Sequence, residues 1–81
     1  MVALTGTVER ITYLNQENGY TVIRFLPDPA SAEDVVGMST DGLLTVVGKL
    51  PEVSVGERLA LECELSNHPR HGVQYRVVSA R

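Results

Sequence analysis

The chain has 81 residues, a net charge of −3 at pH 7 and 43% apolar residues, which makes one domain with a small core that buries about 60–65% of the surface its unfolded form exposes. Ordinary charged and apolar fractions argue against wholesale disorder, and the lack of a membrane-length apolar run or a basic leader segment predicts a cytoplasmic protein with no membrane partner. Cys63 is the single cysteine, so an internal disulfide and a cysteine-based zinc cluster are excluded.

The charge is unevenly spread. Residues 28 to 64 hold eight acids against Lys49 and Arg58, whereas residues 65 to 81 hold Arg70, Arg76 and Arg81 and no acid. Six of the seven basic residues are arginine, which suits planar or bidentate contacts better than point-charge ones. The negative total argues against simple capture of phosphate backbones.

The dominant sequence period is two, the signature of half-buried strands. "LTGTVERITYL", residues 4–14, predicts a long first strand with a fault. Leu4, Gly6 and Val8 share one parity and Ile11 and Tyr13 the other, so a β-bulge near Glu9-Arg10 is expected. "NQENG" is a hairpin loop, because Asn18-Gly19 tolerates positive φ. "YTVIRF" is the second strand, apolar on both parities at Val22, Ile23 and Phe25 and stopped by Pro27.

Residues 27 to 42 form the longest irregular stretch. Asp28-Pro29 could start a short helical turn with Pro at its first position, but a mobile loop is the expectation for so long an insertion. "LLTVVG" is the third strand, whose outer face could also mediate a dimer. "KLPEVSVGE" links it to the fourth, with Pro51 breaking regular pairing. "RLALECEL", residues 58–65, is the clearest alternation: Leu59, Leu61, Cys63 and Leu65 face one way and Arg58, Ala60, Glu62 and Glu64 the other. "VQYRVVS" is the fifth strand, with Val73, Tyr75 and Val77 on one face and Gln74 and Arg76 on the opposite one.

Closure is the usual answer to exposed edges in so small an all-β domain. The expected fold is therefore an all-β, five-stranded Greek-key barrel of the oligonucleotide/oligosaccharide-binding (OB) type over residues 1–81. Its usual helix between strands three and four would be reduced or absent. An SH3-like barrel is the alternative.

"SNHPRHGVQY", residues 66–75, carries the densest functional chemistry. On the OB reading its "NHPRHG", residues 67–72, forms the loop between strands four and five and sits beside "NQENG" at one binding face. As a metal site, His68 and His71 supply only two ligands. As a catalytic pair they lack an orienting carboxylate, since residues 65 to 81 hold no acid. As a contact surface the loop offers Asn, His, Arg and Gln donors and the rings of His71 and Tyr75. A plain turn is compatible with that reading: Pro69 fixes φ, Gly72 takes positive φ and Asn67 caps backbone groups. The candidate contact residues are Asn67, His68, Arg70, His71, Gln74, Tyr75 and Arg76, with Asn15, Asn18 and Tyr20 from the first hairpin. Only four aromatic residues are available and none is tryptophan, which limits any autonomous single-strand binder.

"VERITYLNQENGYTVIRF", "LTVVGKLPEVSVGERLAL" and "NHPRHGVQYRV" together resemble the N-terminal domain of the long-form RecD-like ATP-dependent DNA helicases of bacteria, relatives of the exodeoxyribonuclease V alpha subunit. The resemblance runs from about Leu4 to Val78. It implies a parent enzyme that moves 5′-to-3′ along single-stranded DNA, with ATP and Mg²⁺ held in motor domains outside this chain. No G-x-x-x-x-G-K-[ST] is present, and Gly48-Lys49 is followed by Leu50. The chain is thus expected to hold no cofactor and no metal and to be catalytically silent. His71 departs from the aromatic residue the pattern carries there, and "PDPASAEDVVGMSTDG" has no counterpart in it. The resemblance implies an accessory, docking role against the remaining helicase domains or another repair protein, with weak single-stranded DNA contact at most. An independent single-strand binder using Arg10, Arg24, Arg70, Arg76, Tyr20 and Tyr75 is the rival.

Overall fold

A computed structural model describes residues 1–32, 35–70 and 72–80. Five strands follow in order: β1 (Val2–Leu14), β2 (Tyr20–Pro27), β3 (Leu44–Lys49), β4 (Arg58–His68) and β5 (Gly72–Ala80). A single helical turn, α1 (Pro29–Ala32), lies between β2 and β3. The strands close into a barrel in the order β1-β2-β3-β5-β4. Only the β3–β5 seam is parallel, and it is short: Val46 pairs with Tyr75 and Val47 with Arg76. The connection from β3 to β4, residues 50–57, contains no helix.

β1 is long because it serves two partners. Its first half pairs with β4, from Val2↔Cys63 to Thr7↔Arg58, and residues 6–14 pair with β2. Turning from one to the other requires sharp curvature. Gly6 sits at the bend, where an added Cβ would lie 2.1 Å from the Leu26 carbonyl oxygen, so only glycine lets the two backbones approach this closely. The expected bulge is present between Val8 and Arg10, and a second one follows between Ile11 and Tyr13. The second bulge corrects the expectation that Ile11 and Tyr13 share a face. Thr12 is the extra residue, so Ile11 pairs with buried Ile23 while Tyr13 pairs with half-buried Val22.

The core is built from the inner parity of all five strands. Leu4, Val8, Ile23, Phe25, Leu44, Val46, Leu59, Leu61, Cys63 and Tyr75 are buried. Burial pushes the Cys63 thiol up to about 11, because a thiolate would be desolvated there. Leu65, expected to face the core with Leu59 and Leu61, is half exposed. It lies beyond the last tightly packed layer, where β4 and β5 continue as a projecting hairpin.

Parts of the stretch expected to be a mobile loop bond to the barrel. The Asp28 amide donates to the Thr5 carbonyl at 2.8 Å, and the Thr5 amide donates to Ser31 Oγ at 3.1 Å. The Tyr75 hydroxyl donates to the Val36 carbonyl at 2.8 Å and accepts the Val36 amide at 3.0 Å. Gly37, at φ 82°, packs on Val73, where an added Cβ would meet the valine Cβ at 2.6 Å. Residues 35–42 thus form a strap over β5 beside the short β3–β5 seam. Glu33 and Asp34 lie outside the described residues.

Candidate nucleic-acid or partner interface

The first hairpin loop is set by its asparagines. Asn15 Oδ1 accepts the Glu17 amide at 2.9 Å, Asn18 Oδ1 accepts the Tyr20 amide at 2.9 Å, and the Gly19 amide donates to the Asn15 carbonyl at 2.8 Å. Both candidate asparagines therefore form the turn, as short polar side chains do when they bond their own backbone two residues on. The β4–β5 connection is shorter than the sequence suggested. Asn67 pairs with Val73 and His68 with Gly72 in the ladder, so both belong to β4. Asn67 is a strand residue and not the expected turn cap, because the two strands keep pairing past the core. His68 Nδ1 accepts the Arg70 amide at 3.0 Å, and Gly72 takes φ 74°. His71 lies outside the described residues.

Tyr75 is not available for stacking. It is 2% exposed, with its ring in the core and its hydroxyl fixed on Val36. The reason is parity: Tyr75 shares the inner face of β5, whereas Gln74 and Arg76 take the outer one.

All five strands contribute to a groove of about 520 Å³ lined by Thr12, Tyr13, Tyr20, Val22, Thr45, Val47, His68 and Gln74. It brings together Tyr20, His68 and Gln74 of the sequence candidates. Asn15, Asn18, Asn67, Arg70 and Arg76 do not line it. Tyr13 and Tyr20 meet edge to face, ring centroids 6.2 Å apart at 64°, the geometry favoured by aromatic quadrupoles. Tyr13, Thr12, Val22, Thr45 and Val47 were missed because they lie on strands away from the polar loops. The outer parity of β2 and β3 was the available signal for Val22, Thr45 and Val47; the bulge at Thr12 hid Tyr13. On the outer face of β3, Val47 is 5% exposed at the groove floor.

Arg24, Arg58 and Arg76 are engaged. Arg24 donates to Thr45 Oγ1 at 2.5 Å and Ser39 Oγ at 2.7 Å, with Asp41 Oδ1 at 3.4 Å. Arg58 forms a two-toothed pair with Asp28, at 3.1 and 2.5 Å. The Arg58 hydrogen bond holds the Asp28 carboxyl below its ordinary range, and the same bond raises the Arg58 guanidinium. Arg76 pairs with Glu64. Among the five described arginines, three thus meet acids.

A second cavity, about 330 Å³, opens between the β1–β2 hairpin and the β3–β4 connection. Ile11, Leu14, Thr21, Leu50 and Val53 line it. Gly48-Lys49 ends β3 and leads into an irregular connection without a helix, so nothing there resembles a phosphate-cradling loop ahead of a helix N-terminus. Among the described residues no three His, Cys, Asp or Glu side chains gather as a metal site. Among them, too, no helix is long and apolar enough to cross a membrane.

No curated protein and no solved structure matches the chain. The family described as the OB-fold domain of the ATP-dependent DNA helicase YrrC matches it over residues 1–81. Closed five-stranded topology, a bulged and bent β1 and a whole-length family match agree, and the chain belongs to this OB-fold helicase-domain family.

Proposed function

We propose that this chain is a non-catalytic accessory barrel of a bacterial RecD-like helicase that moves 5′-to-3′ in DNA repair and recombination, and that it works by docking. Its partners on this reading are the other domains of the parent helicase or another repair protein, in the cytoplasm. ATP and Mg²⁺ belong to the motor domains. The observation that carries docking over DNA capture is the pairing of Arg24, Arg58 and Arg76 with Asp41, Asp28 and Glu64. A cation already matched to a carboxylate releases few counterions when a phosphate arrives, and counterion release supplies most of the affinity for a nucleic-acid backbone.

A second reading, a weak single-strand binder, is favoured by the exposed Tyr13–Tyr20 pair in a groove that also holds His68 and Gln74. Base stacking on such rings is worth about 1–3 kcal/mol per base. Fluorescence anisotropy of a labelled single-stranded DNA, titrated with the chain at low and at physiological salt, separates the two. Docking predicts no binding at either salt. Micromolar binding that weakens steeply with salt would move the function to DNA handling, and Arg70→Ala and Arg76→Ala would then locate the contacts.

A further inference from the structure

Among the described residues, the groove formed by all five strands has a lining without a carboxylate, ammonium or guanidinium: Thr12, Tyr13, Tyr20, Val22, Thr45, Val47, His68 and Gln74. On the same outer face, the Arg24 and Arg76 guanidiniums are held by Asp41 and Glu64, and Arg10, opposite Arg24 in register, lies outside the lining. Lys49, opposite Tyr20 in register, lies outside the lining. A lining of this kind matches an uncharged ligand, and it mixes aromatic faces with hydrogen-bonding groups in roughly equal parts.

Proteins recognise segments of other chains in a few ways, each with its own surface. Strand addition needs a free sheet edge, and here the ladder closes on itself from β1 round to β4. Phosphorylated or acidic segments need a cluster of available arginines. An amphipathic helix needs a continuous apolar trough, whereas Thr12, Thr45, His68 and Gln74 make half of this lining polar. A polyproline II segment needs aromatic rings to pack its proline faces. It also needs donors for its carbonyls, which make no internal hydrogen bonds. Tyr13 and Tyr20 supply rings, 51% and 39% exposed. Their hydroxyls and the Gln74 amide are the donors.

We propose that this groove docks an uncharged, proline-rich partner segment in the polyproline II conformation, with Tyr13 and Tyr20 as its aromatic walls. The proposal rests on the docking reading above and names the chemistry of the partner. Because such a segment is already extended before it binds, little conformational entropy is lost on docking.

The test is a ¹⁵N–¹H NMR titration of the 81-residue chain with capped decaproline, with a capped Gly-Ser peptide of equal length and with oligo-dT as comparators. Decaproline is expected to shift the amides of Tyr13, Tyr20, Val22, Val47 and Gln74 saturably and equally at low and physiological salt. The Gly-Ser peptide is expected to leave them still. Tyr20→Ala should weaken decaproline binding about tenfold or more, as removal of an aromatic anchor does, whereas Tyr20→Phe should keep most of it. Absence of decaproline shifts, shifts confined to another surface, or equal shifts with the Gly-Ser peptide would each overturn the proposal. If decaproline and oligo-dT are both silent, the proline-rich segment is lost and docking stands. If oligo-dT alone moves the groove amides in a salt-dependent way, both are lost.

Discussion

Tyr75 and the Tyr13–Tyr20 pair lie on opposite sides of one barrel wall, and the same residue type does opposite work there. Tyr75 fills the core and fastens residues 35–42 through two bonds to Val36. Tyr13 and Tyr20 leave their rings at the surface, meeting edge to face at the groove. Side-chain parity decides the difference. Position 75 lies on the inner phase of β5, opposite Val46. Tyr13 is turned outward by the bulge at Thr12, which places it opposite Val22. Interior tyrosine should therefore govern stability, and surface tyrosines should govern recognition.

The largest expected effect tests the interior half. Tyr75→Ala removes the largest of the fully buried side chains and should cost about 3–5 kcal/mol. Small domains have a total stability of only about 5–15 kcal/mol, so urea denaturation should find this variant largely unfolded or close to it. Tyr75→Phe is milder. It keeps the ring and removes both hydroxyl bonds to Val36, at a cost of about 1–3 kcal/mol for the backbone groups left unpaired. Its distinguishing readout is local: hydrogen exchange at the Val36 amide should accelerate more than at Ile23 or Val46. Uniform acceleration would mean that the strap contributes to the whole core and is not a separately fastened segment.

The interior also carries a pH signature. Cys63 is fully buried, and its thiol is pushed up from 9.0 to about 11. Between those values the unfolded chain has lost the proton and the folded chain keeps it. Stability is thus intact below about pH 9 and falls as pH rises toward 11. The urea midpoint should decline across that window. Cys63→Ala should start lower, because of the cavity, yet lose this part of the decline. A thiol reagent at neutral pH should modify Cys63 only as fast as the chain unfolds.

Much of the barrel was legible because β-strands announce themselves by period two. Leu59, Leu61 and Cys63 alternate with Arg58, Ala60 and Glu62, and they are buried as that pattern requires. The first bulge was visible as a phase change between Val8 and Ile11. The second was not, since Thr12 and Tyr13 fit a strand in either phase and only pairing with Val22 reveals the extra residue. The helical turn at Pro29 was readable from Asp28-Pro29, but the strap was not, because it depends on a tyrosine 39 residues away from Val36. Asn67 and His68 read as a loop from polarity alone. Their partners Val73 and Gly72 instead continue the ladder that Ser66 and Gln74 carry outward. The groove was half legible for the same reason. His68, Gln74 and Tyr20 sit near loops that attract attention, while Val22 and Val47 look like ordinary core until the barrel shows which side of the wall they occupy.

The smallest expected effect is the one that sharpens the comparison most. Tyr20→Ala should change stability by no more than about 0.5 kcal/mol, as surface substitutions away from buried features do. The backbone bonds that close the first hairpin, Tyr20 amide to Asn18 Oδ1 and Asn15 amide to the Tyr20 carbonyl, do not use the side chain. The ring is 39% exposed and its aromatic neighbour is the still more exposed Tyr13. A thermal midpoint close to that of the parent chain would show that the pair is maintained for what it meets and not for what it supports. A loss approaching that of Tyr75→Phe would make Tyr13 and Tyr20 an outlying part of the barrel's own packing, and the division between a structural interior and a recognising exterior would fail at the groove itself.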